Sequence, residues 1–233
     1  MYEPARYPQT AAPHAQVAGE HAAFFRQVYA IMALGLTATG VTAMLVASSE
    51  AALQLIVGNR IVFYGLLLAE LVMVWSFSAA LKRVSTVTAG AMFFAYAILN
   101  GLTLSVIFLA YTGGSIASTF FITAGAFAGL SAFGYATKRD LTGVGSFAMM
   151  GLFGLVIAMV VNLFLQSPML YWLATFMGVI IFTALAAYDT QKIKQLNVGG
   201  EAGDKGAIFG ALILYLDFIN LFLFMLRLLG RRK

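Results

Sequence analysis

The sequence predicts an all-α integral membrane protein with seven transmembrane helices, on three observations. Hydrophobic residues fill 61% of its 233 positions and charged residues only 10%. Mean hydropathy is +0.90, whereas a soluble domain carries about 25% charged residues and under about 50% apolar ones. Seven apolar stretches follow one another, each near the ~20 residues that cross a bilayer as a helix. They are too long for barrel strands, which alternate over about ten residues.

The chain opens with a segment that differs from the rest. Pro4, Pro8, Pro13, His14 and His21 fall within it, and it has no apolar core of the signal-peptide kind. Residues 1–25 read as a disordered polar tail, and 26–233 as the transmembrane domain. The spans are expected at roughly 27–48, 61–81, 88–110, 115–136, 144–165, 171–191 and 206–229. They leave no room for a soluble domain.

Orientation follows from Lys and Arg. Arg6, Arg26, Lys82, Arg83, Lys138, Arg139, Lys192, Lys194 and Lys205 share one side if the N-terminus is cytoplasmic. The opposite connections, "YTGG" (111–114) and "QSPML" (166–170), carry no charge, and Arg60 is the exception on that side. Arg231, Arg232 and Lys233 run against the rule, because a full seventh crossing puts them outside. A re-entrant last segment is the alternative.

Several chemistries are excluded. With no cysteine and no histidine beyond residue 21, an embedded site can use neither thiolate, disulfide nor imidazole. Ionisable groups inside a span cost at least ~2.5–3.5 kcal/mol and usually face the bundle interior or water. Three acids qualify: Glu70 in the second span, Asp189 late in the sixth and Asp217 midway along the seventh.

"NVGGEAGDKG" (197–206) reads as the turn between the last two spans. Asp189 and Asp217 each lie 14 residues from Gly203. In an antiparallel hairpin that symmetry gives equal depth, in the half nearer the turn. Two carboxylates in one low-dielectric site tend to hold one proton between them and titrate as a unit. Such a pair also suits a hard cation such as Ca²⁺. Asn220, one turn after Asp217, could orient that carboxylate or add a carbonyl ligand, and Arg83 could supply a basic partner.

The bland readings stand beside these. Asp189 could be an interfacial residue paired with Lys192 or Lys194. Glu70 could be a helix–helix hydrogen bond, the role also expected of Asn100 and Asn162. "GAFAG" (125–129) fits a close-contact pattern but is weak in a chain with 23 glycines.

At "LNGLTLSVIFLAYTGGSIASTFFITAGAF" (99–127), "GYATKRDLTGVG" (134–145), "AAYDTQKIK" (186–194) and "LILYLDFINLFLFMLRLLG" (212–230), the chain resembles the Bax inhibitor-1 family, most closely its bacterial branch. The resemblance covers nearly everything after residue 24. It implies seven helices with the last one central within a bundle of six, in the bacterial inner membrane. It also implies a pH-sensitive Ca²⁺ leak controlled by two aspartates, which fall on Asp189 and Asp217, with Glu70 matching an acid of the second helix. Family members studied as channels carry an arginine late in that helix. Here the region reads "SFSAALKRV", with Lys82 and Arg83 slightly further along.

The leading reading is therefore a cation leak, with Ca²⁺ or protons and the lipid bilayer as partners and no cofactor, nucleic acid or enzymatic activity. Its alternative is a non-transporting regulator of another membrane protein. Bacterial relatives point to the membrane-bound ATP-dependent quality-control protease as that partner. An intramembrane aspartyl protease is disfavoured: residues 214–217 read Leu-Tyr-Leu-Asp where such enzymes carry Gly-x-Gly-Asp, and no proline follows Pro168.

Overall fold

The structure, a computed structural model, describes residues 12–81, 83–196 and 203–233. Their helices are α1 (Ala12–Ala47), α2 (Glu50–Leu53), α3 (Arg60–Leu81), α4 (Thr86–Leu104), α5 (Ile107–Ala110), α6 (Gly113–Ala136), α7 (Thr142–Leu165), α8 (Pro168–Leu196) and α9 (Gly203–Leu229). A π-helical turn, Gln54–Gly58, joins α2 to α3. Among the described residues there is no strand. Seven segments are long and apolar enough to cross a membrane: α1, α3, α4 with α5, α6, α7, α8 and α9.

The polar punctuation of the sequence sets these boundaries. Asn59 accepts from the N–H groups of Ile61 and Val62 at 3.1 and 3.3 Å, covering otherwise unpaired donors at the start of α3. Ser85 does the same for α4 through Thr88 N–H at 3.1 Å. At α7, the Thr142 hydroxyl and N–H both donate to Asp140 Oδ1, at 2.6 and 2.9 Å, which holds that carboxyl below its ordinary value. Gln166 closes α7 in the left-handed region, φ 48°, and Asn162 Oδ1 secures the turn by accepting from Ser167 N–H at 2.9 Å. Asn162 is thus a local cap, not the interhelical bond expected of it, because it lies one turn from the helix end. The third span is broken at Ser105–Val106, where backbone bonds tighten to i→i+3.

Two further expectations change. The disordered tail does not extend to residue 25: α1 begins at Ala12, and Phe24 and Phe25 are buried in the core. Pro13 is tolerated there because the first helical turn has no partner for its N–H anyway. The remainder of the expected tail, residues 1–11, lies outside the described residues, as does Lys82. The re-entrant alternative also falls, since α9 is one unbroken helix whose two ends meet opposite ends of the bundle.

The central position goes to α9. In an apolar 18-residue stretch of α9, 67% of the residues are buried, against 6% in that of α3. It packs against α1, α3, α4, α6 and α8, while α7 closes the bundle mainly against α8. Aromatic rings fill the joints: Tyr215 meets Phe93 and Tyr96 at 5.7 and 5.9 Å, and Phe218 meets Phe120 and Phe127 at 5.3 and 5.5 Å. Outward-facing residues such as Ile61, Trp75 and Phe164 stay exposed, as helices facing lipid require.

One glycine sets the approach of α6 to α8. A Cβ on Gly134 would overlap the Ala187 carbonyl oxygen, which is backbone and cannot swing aside. The glycines of "GAFAG" have open space around them and make no such contact.

Candidate functional site: a carboxylate pair and a polar network on the central helix

Tyr215 and Asp217 lie two residues apart on α9, about 200° around a helix at 3.6 residues per turn. They therefore look toward opposite sides of the bundle, and each is the centre of a polar cluster.

Asp217 is buried, and its Oδ2 has no N–H or O–H donor opposite it. Its polar neighbour is the Asp189 carboxyl, within hydrogen-bonding reach across the α8–α9 contact. Two ionised carboxylates have no proton to exchange, so the contact becomes a hydrogen bond only when one oxygen is protonated. Asp189 is half-buried, and the positive charge that reaches it is that of Lys192, one turn further along α8. The Lys192 ammonium lies 5.8 Å from the Tyr188 ring centroid.

The pair forms as the sequence suggested, but not by symmetry about Gly203. Gly203 is the first residue of α9, not the middle of the turn. Asp189 lies 7 residues before the end of α8 (196 − 189), and Asp217 lies 14 after the start of α9 (217 − 203). The helix ends are thus offset by about two turns relative to the pair.

Two supporting residues do other work. Asn220 Nδ2 donates to the Leu216 carbonyl at 2.8 Å, within its own helix, and does not orient Asp217. Arg83 is exposed, and Lys192 takes the place expected of it beside Asp189. Gln191, which sequence reasoning passed over, anchors this end of α8. It accepts from Leu141 N–H and donates to the Arg139 carbonyl, both at 2.8 Å.

On the other side of α9, Glu70 is buried and held from α4. Asn100 Nδ2 donates to Oε2 at 3.2 Å, and the Thr103 hydroxyl donates to Oε1 at 2.6 Å. The Tyr215 hydroxyl donates to Asn100 Oδ1 at 3.1 Å and lies 2.6 Å from Thr39 Oγ1, which also reaches the Ala97 carbonyl at 2.8 Å. One chain of polar contacts thus ties α3, α4, α9 and α1 together. Glu70 and Asn100 play the interhelical role the sequence allowed. Thr39, Thr103 and Tyr215 were missed, since a lone hydroxyl inside a span gives no signal by itself.

The profile of the Bax inhibitor-1 family, described as an inhibitor of apoptosis-promoting Bax1, matches residues 21–233. The chain belongs to this family. It is 46% identical over 215 residues to the inner membrane protein YbhL of Escherichia coli K12, covering 90% of this chain and 92% of that one. A protein of Borreliella burgdorferi is 44% identical over 214 residues, covering 90% and 92%. A membrane protein of Streptococcus pyogenes is 37% identical over 212, covering 89% and 92%. Both the carboxylate pair and the Glu70 network lie within the part matched to the Bax inhibitor-1 family.

Proposed function

We propose that this Bax inhibitor-1 family protein is a pH-sensitive cation leak of the bacterial inner membrane, with Ca²⁺ as cargo and the Asp189–Asp217 pair as its gate. The observation that carries this reading is the contact of two carboxyl groups, one of them buried without a donor of its own. With one proton shared, the pair draws α8 and α9 together through a hydrogen bond. With both carboxyls ionised, it repels and attracts a cation instead. Ca²⁺ takes six to eight oxygen ligands. Among the described residues no third His, Cys, Asp or Glu joins the pair. The donor chemistry suits a hard cation that keeps much of its water, as a passing ion does.

The end of the bundle that holds Lys138, Arg139, Lys192 and Lys194 is cytoplasmic on this reading. The pair lies toward that end, about 10 Å from the end of α8.

Purified protein reconstituted in liposomes loaded with a Ca²⁺ indicator tests the proposal. Ca²⁺ entry above that of protein-free liposomes, changing with pH, is the expected result. Entry equal to protein-free liposomes at every pH contradicts it, and leaves the partner-binding regulator as the better reading.

A further inference from the structure

At the end of the bundle opposite the aspartate pair, the last residues are pinned in place. Thr112 N–H donates to the Arg231 carbonyl at 3.0 Å, Arg231 N–H to Ser115 Oγ at 3.1 Å, and Lys233 N–H to the Ala110 carbonyl at 3.1 Å. An antiparallel bridge joins Tyr111 to Arg232. The backbone that carries these basic side chains is therefore fixed.

Two of them converge on one tyrosine. The Arg232 guanidinium donates to the Tyr171 hydroxyl at 3.0 Å and lies 5.9 Å from its ring centroid. Arg227, half-buried in the last turn of α9, lies 5.8 Å from the same centroid and 5.1 Å from that of Phe224. Both line a cavity of about 640 Å³, together with Asn162, Ser167, Tyr171 and Trp172 among others, and none of its lining residues is acidic.

The polar inventory of this cavity is lopsided. Each guanidinium presents a fork of N–H groups. Ser167 Oγ already accepts from Leu170 N–H at 3.3 Å, which leaves its proton to give away. Asn162 Oδ1 is occupied by Ser167 N–H. Two cations with surplus donors and no acid call for an acceptor-only anion, and guanidinium forks match phosphate. Next in sequence to the lining residues Gln166, Pro168 and Trp172, the apolar Leu165, Met169 and Leu173 are 65%, 81% and 56% exposed.

We propose that this cavity binds the headgroup phosphate of an anionic phospholipid, held by Arg227 and Arg232, with its acyl chains along Leu165, Met169 and Leu173. Such a ligand gives a physical reason for Arg232, one of the basic residues that run against the orientation rule, and its phosphate offsets charges that no acidic lining residue of the cavity offsets. A free phosphate offers the same headgroup chemistry but leaves the apolar rim without a partner.

Native mass spectrometry of the full chain in neutral detergent tests this, with equal amounts of phosphatidylglycerol and phosphatidylcholine supplied. Preferential retention of phosphatidylglycerol, by about tenfold or more, is the expected result for two charge-assisted contacts. The double variant Arg227→Gln/Arg232→Gln should lose that preference. Arg232→Gln alone, on the exposed tail, should weaken it without risk to the core. Lys138→Gln/Arg139→Gln at the other end should leave it intact. Equal retention of the two lipids overturns the proposal, as does a preference that survives in Arg232→Gln and the double variant alike. Complete displacement of phosphatidylglycerol by inorganic phosphate also overturns it, since it marks a free-anion site.

Discussion

Asp217→Asn is expected to remove most of the pH dependence of cation flux. In the wild-type pair, two like charges in contact repel by about 4 kcal/mol at an effective dielectric constant near 20. That is roughly a thousandfold bias against the doubly ionised state. One proton linked to the gate then changes its equilibrium by up to about tenfold per pH unit. Asparagine fills the same space and can donate to Asp189 permanently, so the repulsion disappears and no proton is shared. Asp189→Asn should act alike, because the property belongs to the pair and not to either residue. The comparison is of flux against pH in liposomes for wild type and both variants. An unchanged profile in both variants would remove the pair from the gate.

The second large effect is on stability. Asn100→Leu is expected to destabilise the bundle by about 2–4 kcal/mol, more than a single polar contact within a membrane usually contributes. The amide of Asn100 serves two partners on two other helices, Glu70 on α3 and Tyr215 on α9. Leucine has the same branched outline but leaves the buried Glu70 carboxyl with one donor fewer. It also removes one of the two acceptors within reach of the Tyr215 hydroxyl, leaving Thr39 Oγ1. Glu70→Gln should cost less, since its amide oxygen can keep the Asn100 donor while its NH2 group donates to the Thr103 hydroxyl, which can accept as well as donate. Unfolding in detergent, followed by denaturant titration, separates the variants. A shift for Asn100→Leu under about 0.5 kcal/mol would mean that water replaces the amide and that the network does not tie the helices.

Much of this arrangement was legible in the chain because a bilayer leaves few choices for long apolar stretches. The seven spans follow from length and hydropathy, and the structure starts the second and third of them one and two residues earlier, after the caps Asn59 and Ser85. Asp217 was conspicuous since a carboxylate with ten apolar-dominated residues on either side has no interfacial explanation. Symmetry about Gly203 predicts its pairing with Asp189, although Gly203 is the first residue of α9 and not the midpoint of the turn. The contact still forms, for the seven-residue step from Leu196 to Gly203 is long enough to span the offset between the helix ends.

Side-chain direction was the part the sequence withheld. Asn220 shares a face with Asp217 by spacing, yet its amide bonds back to the Leu216 carbonyl one turn earlier, whose second lone pair lies within reach in its own helix. Arg83 lies near in sequence to the position where the family resemblance calls for a cation. Lys192 supplies the charge instead, because it is one turn from Asp189 on the same helix. Tyr215 carried a usable clue in "YLDFIN": a hydroxyl two residues from a buried acid must face the other side of α9, where it needs a partner. Asn100 is that partner, and through it Glu70.

The central claim is that one site holds either a shared proton or a cation. Difference infrared spectroscopy of the protein in lipid, following the C=O stretch of protonated carboxyl groups while pH and Ca²⁺ are varied, tests it most directly. The expected result is a carboxylic acid band that fades as pH rises, fades also when Ca²⁺ is added at constant pH, and is altered in both Asp189→Asn and Asp217→Asn. A band that ignores Ca²⁺ and persists unchanged in both variants would contradict the claim, for the proton would then sit elsewhere, with Glu70 the other buried acid among the described residues.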